Sequence, residues 1–241
     1  IIMFLSGANF NLHLLAIRNK SLKPYRDPEF LFYFKIVLLA SLATAVFIHC
    51  GGFYHTVADS LRFAFFQVVS VITTTGFITA DFALWPPFTQ MLLVLLMIVG
   101  GCAGSTAGAV KCVRIEIIWE EIKAEVKRLV HPSSTIPILI GDSSIEREMA
   151  HSAVVFFALY MFIFLVAMLV IAGTGQDLVT SLGAVATTLG NVGPGLGKVG
   201  PVYNFESQTF LAKWVYSFCM LCGRLELFTV LVLFSRDTWR R

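Results

Sequence analysis

Apolar residues in this chain gather into long uncharged runs instead of alternating with polar ones. Phe88 to Val110 carries no Asp, Glu, Lys or Arg over 23 residues, and Ser152 to Gln176 carries none over 25. A helix needs about 20 residues to cross a bilayer core, so each run predicts a crossing. Leu31 to Ile48 predicts another, with Lys35 near its charged end and Gly51-Gly52 as its stop. Ser60 to Ile72 is apolar on most sides but too short to span, and it ends in Thr73-Thr74-Thr75-Gly76-Phe77. A polar segment with Asp81, Pro86 and Pro87 leads to the run from Phe88. Long helix, short helix, Thr/Gly loop, long helix is the outline of a re-entrant unit.

The outline recurs. Ser152 to Ala172 predicts a span ended by Gly173 and Gly175, and Asp177 to Ala186 a short helix. Thr187-Thr188-Leu189-Gly190-Asn191 then stands where the first Thr/Gly loop stood. The Gly/Pro-rich stretch 192–201 leads to a last span over Trp214 to Phe234. Two copies make an internal repeat, which outranks any single motif. The expected fold is therefore an all-α membrane protein of tandem helix–pore loop–helix repeats, with re-entrant half-helices around a pore. It divides into 1–30 (the end of a preceding repeat and a loop), 31–113 (one pore repeat), 114–148 (an amphipathic helix and linker) and 149–241 (the next pore repeat). Ile1 to Leu15 reads as the tail of a membrane helix, and the apolar start without Met predicts an incomplete chain.

Composition agrees: 57% of residues are hydrophobic and 14% charged, against about 25% charged in soluble domains. The net charge of +3 is small and makes no case for nucleic acid. Its placement orients the chain. Arg18, Lys20, Lys23, Arg26 and Lys35 share one loop region; Lys111, Arg114, Lys123, Lys127, Arg128 and Arg147 share another; Arg236, Arg240 and Arg241 close the chain. The positive-inside rule places all three on the cytoplasmic side, and helix parity then has both Thr/Gly loops entering from outside. Arg114 to Val130 has Ile115, Ile118, Trp119, Ile122, Val126 and Leu129 at helical spacing, which predicts a helix on the membrane surface or a docking site for a cytosolic regulator. His131-Pro132 ends it. Ser143 with Glu146 predicts a capping box for the next helix. Cys219-x-x-Cys222 lies in an apolar run without a second ligand pair and reads as packing. Five scattered histidines and the lack of a nucleophile–base pair argue against an enzyme.

Three constellations could carry chemistry. Stripping water from a cation takes a set of oxygens, and backbone carbonyls of an extended loop supply them. Glycine permits the needed backbone, and half-helices aim their negative ends at the ion. Second, Gly100-Gly101-Cys102-Ala103-Gly104-Ser105-Thr106-Ala107-Gly108 interrupts a spanning run with four glycines, each weakening a helix by about 1 kcal/mol relative to alanine. Close helix packing through Gly-x-x-x-Gly is one reading; a movable unwound gate beneath the filter, with Ser105 and Thr106 facing a cavity, is the other. Third, Arg224 lies within the last span, where a charge needs a partner or water. A structural ion pair with another helix and a positive barrier below the filter are the two readings, with Lys111 able to assist. Glu226, two positions on, faces elsewhere on a helix.

Thr73-Thr74-Thr75-Gly76-Phe77, Gly101-Cys102-Ala103-Gly104-Ser105-Thr106, Asn191-Val192-Gly193-Pro194-Gly195 and Gly223-Arg224-Leu225-Glu226, in this order, resemble the Trk/Ktr/HKT superfamily of potassium transporters, the Trk branch most closely. The resemblance implies four repeats around one pore, a homodimer in a bacterial inner membrane, and a cytosolic nucleotide-binding regulatory ring (TrkA-like). It implies that Gly76 and Gly190 are filter glycines of the third and fourth repeats, with K+ held at Thr74, Thr75, Gly76, Phe77, Thr188, Leu189, Gly190 and Asn191. It implies that Gly100 to Gly108 form a gating loop and that Arg224 faces the pore. The transported ion is then K+, with Rb+ accepted, and no cofactor is expected. A Na+- or H+-coupled symporter of the same fold is the alternative, and a carrier of a small organic solute a more distant one. Two loops cannot ring an ion, so further repeats are expected elsewhere in the protein.

Overall fold

The computed structural model describes residues 1–131, 136–141, 143–234 and 236–239, so Pro132, Arg240 and Arg241 lie outside the described residues. Ten α-helices are present among them: α1 (Ile2–Ser6), α2 (Phe10–Asn19), α3 (Pro28–Cys50), α4 (Val57–Ile72), α5 (Pro87–Val99), α6 (Cys112–Val130), α7 (Arg147–Gly173), α8 (Leu178–Gly190), α9 (Phe210–Leu225) and α10 (Leu227–Phe234). A two-stranded hairpin, β1 (Ile138–Ile140) and β2 (Ser143–Ile145), precedes α7.

Local chemistry sets the ends of these helices. Asp27 accepts a hydrogen bond from the Phe30 amide at 3.2 Å, with Pro28 at the first helical position, where its missing N–H costs nothing. Thr56, Asp177 and Thr209 cap α4, α8 and α9 in the same way, each accepting from an amide three residues on. Among the described residues, only α3 (23 residues) and α7 (27 residues) are singly long and apolar enough to cross a membrane. The pair α9–α10 would make a third crossing but bends by 112° between them.

Each long helix buries one stripe and leaves the rest apolar and open, as a bilayer solvent allows. On α3 the buried stripe is Tyr33, Val37, Ala40, Ser41, Thr44, Ala45 and Ile48, while Leu38, Leu39, Leu42 and Val46 face outward. Helix α3 packs on α4, and α7 packs on α8 and α9. Helix α5 touches both half-helices, α4 and α8, and so joins the two repeats into one core.

Four expectations from sequence are corrected. Ile1 to Leu15 is not one helical tail: the chain turns at residues 7–9, and the Asn9 side chain caps α2 by accepting from the Asn11 amide at 2.9 Å. The uncharged run from Phe88 is helical only to Val99, because Gly100 takes φ +75°. Ser143 and Glu146 form no capping box. Ser143 pairs with Ile140 in the hairpin, and Glu146 precedes α7 without a side-chain cap. The last span breaks at Glu226, whose φ is +63°.

Helices α8 and α9 approach so closely that a Cβ at Gly223 would run into the Leu189 carbonyl. Overpacking of this kind costs about 1–3 kcal/mol, so Gly223→Ala should lower the thermal unfolding midpoint of the purified protein. Gly173→Ala meets no atom within 4 Å and should leave the midpoint unchanged. Equal midpoints for the two variants would refute the close approach.

Candidate functional site

Two loops follow the half-helices and meet at the centre of the molecule. At the end of α4, Thr74 adopts φ +53° and Gly76 φ +77°. At the end of α8, Asn191 adopts φ +57° and Gly193 φ +118°. The Thr75 amide donates to the Ser70 carbonyl at 2.9 Å, and the Val192 amide donates to the Thr187 carbonyl at 2.9 Å. Each bond reaches back five residues, and each is followed by a glycine at positive φ. Thr74, Thr75, Gly76 and Phe77 therefore stand in register with Asn191, Val192, Gly193 and Pro194. A Cβ at Gly76 would collide with the Val192 carbonyl and lie 3.2 Å from Pro194, so only glycine permits this contact between the loops.

The pairing of Gly76 with Gly190 expected from the Thr-Thr-x-Gly lettering is thus displaced by three residues. Thr188, Leu189 and Gly190 lie in the last turn of α8 and are buried. The Thr188 carbonyl already accepts from the Asn191 amide, and its hydroxyl bonds back to the Ala184 carbonyl at 2.7 Å. A Cβ at Gly190 would strike the Met97 carbonyl of α5. In α8's loop the exposed backbone is at Gly193. The match of Gly193 with Gly76 is hidden in the sequence because the helix end cannot be located from letters alone; the signal available was the left-handed preference of Asn191 just before it.

Side chains behind the loops hold them. The Ser70 hydroxyl donates to the Phe77 carbonyl at 2.7 Å, and the Thr187 hydroxyl accepts from the Gly193 amide at 2.8 Å. Buried Gln67 accepts from the Thr79 amide at 3.2 Å. Asp177, at the start of α8, has its carboxyl held below the ordinary range by hydrogen bonding to Thr180, so this cap persists until the pH falls below that range.

Directly beneath lies the irregular segment 100–111, and each of its anchors comes from a different element. The Cys102 amide donates to the Gly7 carbonyl at 2.9 Å, and the Phe10 amide donates to the Gly104 carbonyl at 3.1 Å. The Glu29 carboxylate, at the start of α3, accepts from the Ala103 amide at 2.5 Å. The Gly108 amide donates to the Thr74 hydroxyl at 3.1 Å, tying this segment to the first loop. Ser105 does not offer its hydroxyl to a cavity: it donates to the Cys102 carbonyl at 2.6 Å. Thr106 is exposed and donates to the Ser6 carbonyl at 3.3 Å.

Arg224 reaches the same segment from α9, donating to the Thr106 carbonyl at 2.7 Å. It is exposed and forms no ion pair among the described residues. The expected assistance from Lys111 takes another form. Lys111 Nζ lies 2.8 Å from Glu226, and Arg114 Nη2 lies 3.0 Å from the other oxygen of the same carboxylate. Arg114 also stacks over the Phe156 ring at 4.0 Å. Glu226, overlooked because its partners are 115 and 112 positions away, joins the break in the last span to the end of the irregular segment.

The model of the family described as TrkH, cation transport protein, matches residues 1–240. The chain is 40% identical to the Trk system potassium uptake protein TrkH of Salmonella typhimurium and 39% identical to that of Escherichia coli, each over all 241 residues and 50% of the relative. The crystal structure of the potassium transporter TrkH from Vibrio parahaemolyticus superposes with a TM-score of 0.90 at 38% identity, covering 99% of this chain and 51% of that one. The chain spans about half the length of these relatives.

A double-mutant cycle of Lys111→Ala and Glu226→Ala should give a coupling of about 0.5–1 kcal/mol in unfolding free energy, as for partly exposed pairs. Strict additivity of the two losses would show that the bridge does not hold the segment.

Proposed function

This chain belongs to the TrkH family of cation transport proteins, and on that footing we propose that it forms the third and fourth pore repeats of a potassium-translocating membrane subunit. The observation that carries this reading is the matched geometry of the two loops: a left-handed residue, an amide bonded five residues back, and a glycine at positive φ, in contact with each other. Chain in that conformation can turn carbonyls toward a shared axis, where they replace an ion's water. The C-terminal ends of α4 and α8 add negative potential from behind the loops. Potassium is favoured because the relatives are named for its uptake.

In this reading the filter positions are Thr74, Thr75, Gly76 and Phe77 with Asn191, Val192, Gly193 and Pro194. Two such loops supply half of a ring, and the other repeats come from the rest of the protein. Segment 100–108 is the gate, held shut by the Arg224 bond to the Thr106 carbonyl. The arginine's charge opposes cations below the filter, whereas Lys111 shares the Glu226 carboxylate with Arg114. Passage is transport without covalent chemistry. The positively charged loops lie on the cytoplasmic side of a bacterial inner membrane, with the filter open to the outside. The working assembly is a homodimer whose gate answers to a cytosolic nucleotide-binding ring.

Ion flux through the full-length protein in liposomes tests this directly. Potassium and rubidium should pass, and sodium and choline should be excluded; absence of any inorganic-cation flux would overturn the assignment. Gly193→Ser, whose Cβ meets no atom within 4 Å, should lower the potassium-to-sodium permeability ratio; Gly76→Ser should lower it too, with a loss of folded yield because its Cβ meets the Val192 carbonyl. Gly190→Ala should reduce the yield of folded protein and leave the ratio unaltered; the opposite pattern would restore Gly190 to the filter. Arg224→Ala should raise basal flux about tenfold, the effect of relieving an electrostatic barrier of roughly 1.4 kcal/mol. A fall in yield without a rise in flux would make the arginine structural.

A further inference from the structure

Helix α6 is amphipathic, yet much of its apolar face is left outside the core. Ile117 and Ala124 are buried near the hairpin and α7, whereas Trp119 is 54% exposed and Ile122 50%. Trp119 and Ile122, with Ile115 and Ile118, form one wall of an apolar groove of about 390 Å³. Phe32 of α3 and Phe157 of α7 form the other, so the groove opens onto the outward faces of two long apolar helices.

Phe32 also borders a second cleft of about 470 Å³, and this one is polar. Arg26, Lys35, Glu116 and Ser143 line it. Both basic side chains are exposed, and neither forms an ion pair among the described residues. Glu116 is the acid facing them. Burial, followed by the nearby charges of Asp27 and Glu120, raises its carboxyl above the ordinary range. Lys35 and Lys123 act on it in the opposite sense.

An apolar slot therefore adjoins a cleft with two free cations, at the charged end of a long apolar helix. That arrangement matches an amphiphile with a negative head. Basic clusters at such positions attract acidic lipids, and long basic side chains there keep their charges at headgroup level. We propose that the paired groove and cleft bind an anionic phospholipid of the surrounding leaflet. Its acyl chain lies along Trp119 and Phe157, and its phosphate sits between Arg26 and Lys35. Occupancy would fix α6 against α3 and α7, and nothing in this site depends on which ion the pore selects.

The test uses the full-length protein in phosphatidylcholine vesicles carrying a minor fraction of either brominated phosphatidylglycerol or brominated phosphatidylcholine. Quenching at Trp119 is read as the difference between the native protein and its Trp119→Phe variant. Brominated phosphatidylglycerol should quench Trp119 more strongly than brominated phosphatidylcholine at equal fraction. Arg26→Gln and Lys35→Gln should each reduce that preference about fivefold, the usual effect of one basic residue near an acidic surface. Equal quenching by the two lipids would reduce the groove to ordinary bilayer contact and overturn the proposal. No quenching by either would mean that protein covers the face, a second copy or another part of the same subunit, and would overturn it equally.

Discussion

Backbone amides and carbonyls removed from water must be paired inside the protein, and this molecule depends on how it meets that demand where its helices stop. In hydrocarbon each orphaned group costs several kcal/mol, so irregular chain survives only when other elements supply partners. Segment 100–111 meets the condition from five sides: the first turn of the chain, the Glu29 carboxylate, the Thr74 hydroxyl, α9 through Arg224, and its own return to α5 at Ile98 and Val99. The same bonds make the segment a point where separate helices report to one another.

The two half-helices obey the same demand in a tighter form. Each ends in a left-handed residue that lets one amide reach back five positions, and each then frees a short stretch of extended chain. Ser70 and Thr187 serve the two loops with mirrored chemistry, one donating to a carbonyl and the other accepting from an amide. Small residues make the junction possible. Gly76, Gly108, Gly190 and Gly223 all sit where a Cβ would meet a backbone carbonyl of another segment. Loops, segment 100–111 and α9 therefore approach one another backbone to backbone.

The charges around this junction are three cations and one carboxylate. Glu226 gathers Lys111 and Arg114 at the kink between α9 and α10, while Arg224 bonds to the Thr106 carbonyl of segment 100–111. One carboxylate between two cations leaves that cluster positive, and Arg224, held by one carbonyl, adds to it. Farther out, basic side chains mark the loop ends of α3 and α7, where a charged headgroup region can accept them.

Much of this was written in the order of residues. Long uncharged runs determined that the chain is a helical membrane protein. Short apolar segments between them gave the half-helices, and their recurrence gave the repeat, because bilayer thickness converts directly into residue count. Helix starts were less legible: Leu31 and Ser60 were expected, whereas caps at Asp27 and Thr56 start α3 and α4 about one turn earlier, at Pro28 and Val57. What needed tertiary structure was every feature set by contact across the chain. Hydropathy cannot distinguish helix from loop in Gly100 to Val110, because both are uncharged; the partners that stabilise the loop come from Gly7, Glu29 and Thr74. Letters aligned Gly190 with Gly76, but close packing against α5 keeps Gly190 helical and passes the loop position to Gly193. Glu226 found its cations more than a hundred residues away. Local periodicity sets which segments are helical, and the demand to satisfy distant backbone and charge decides where those helices must break.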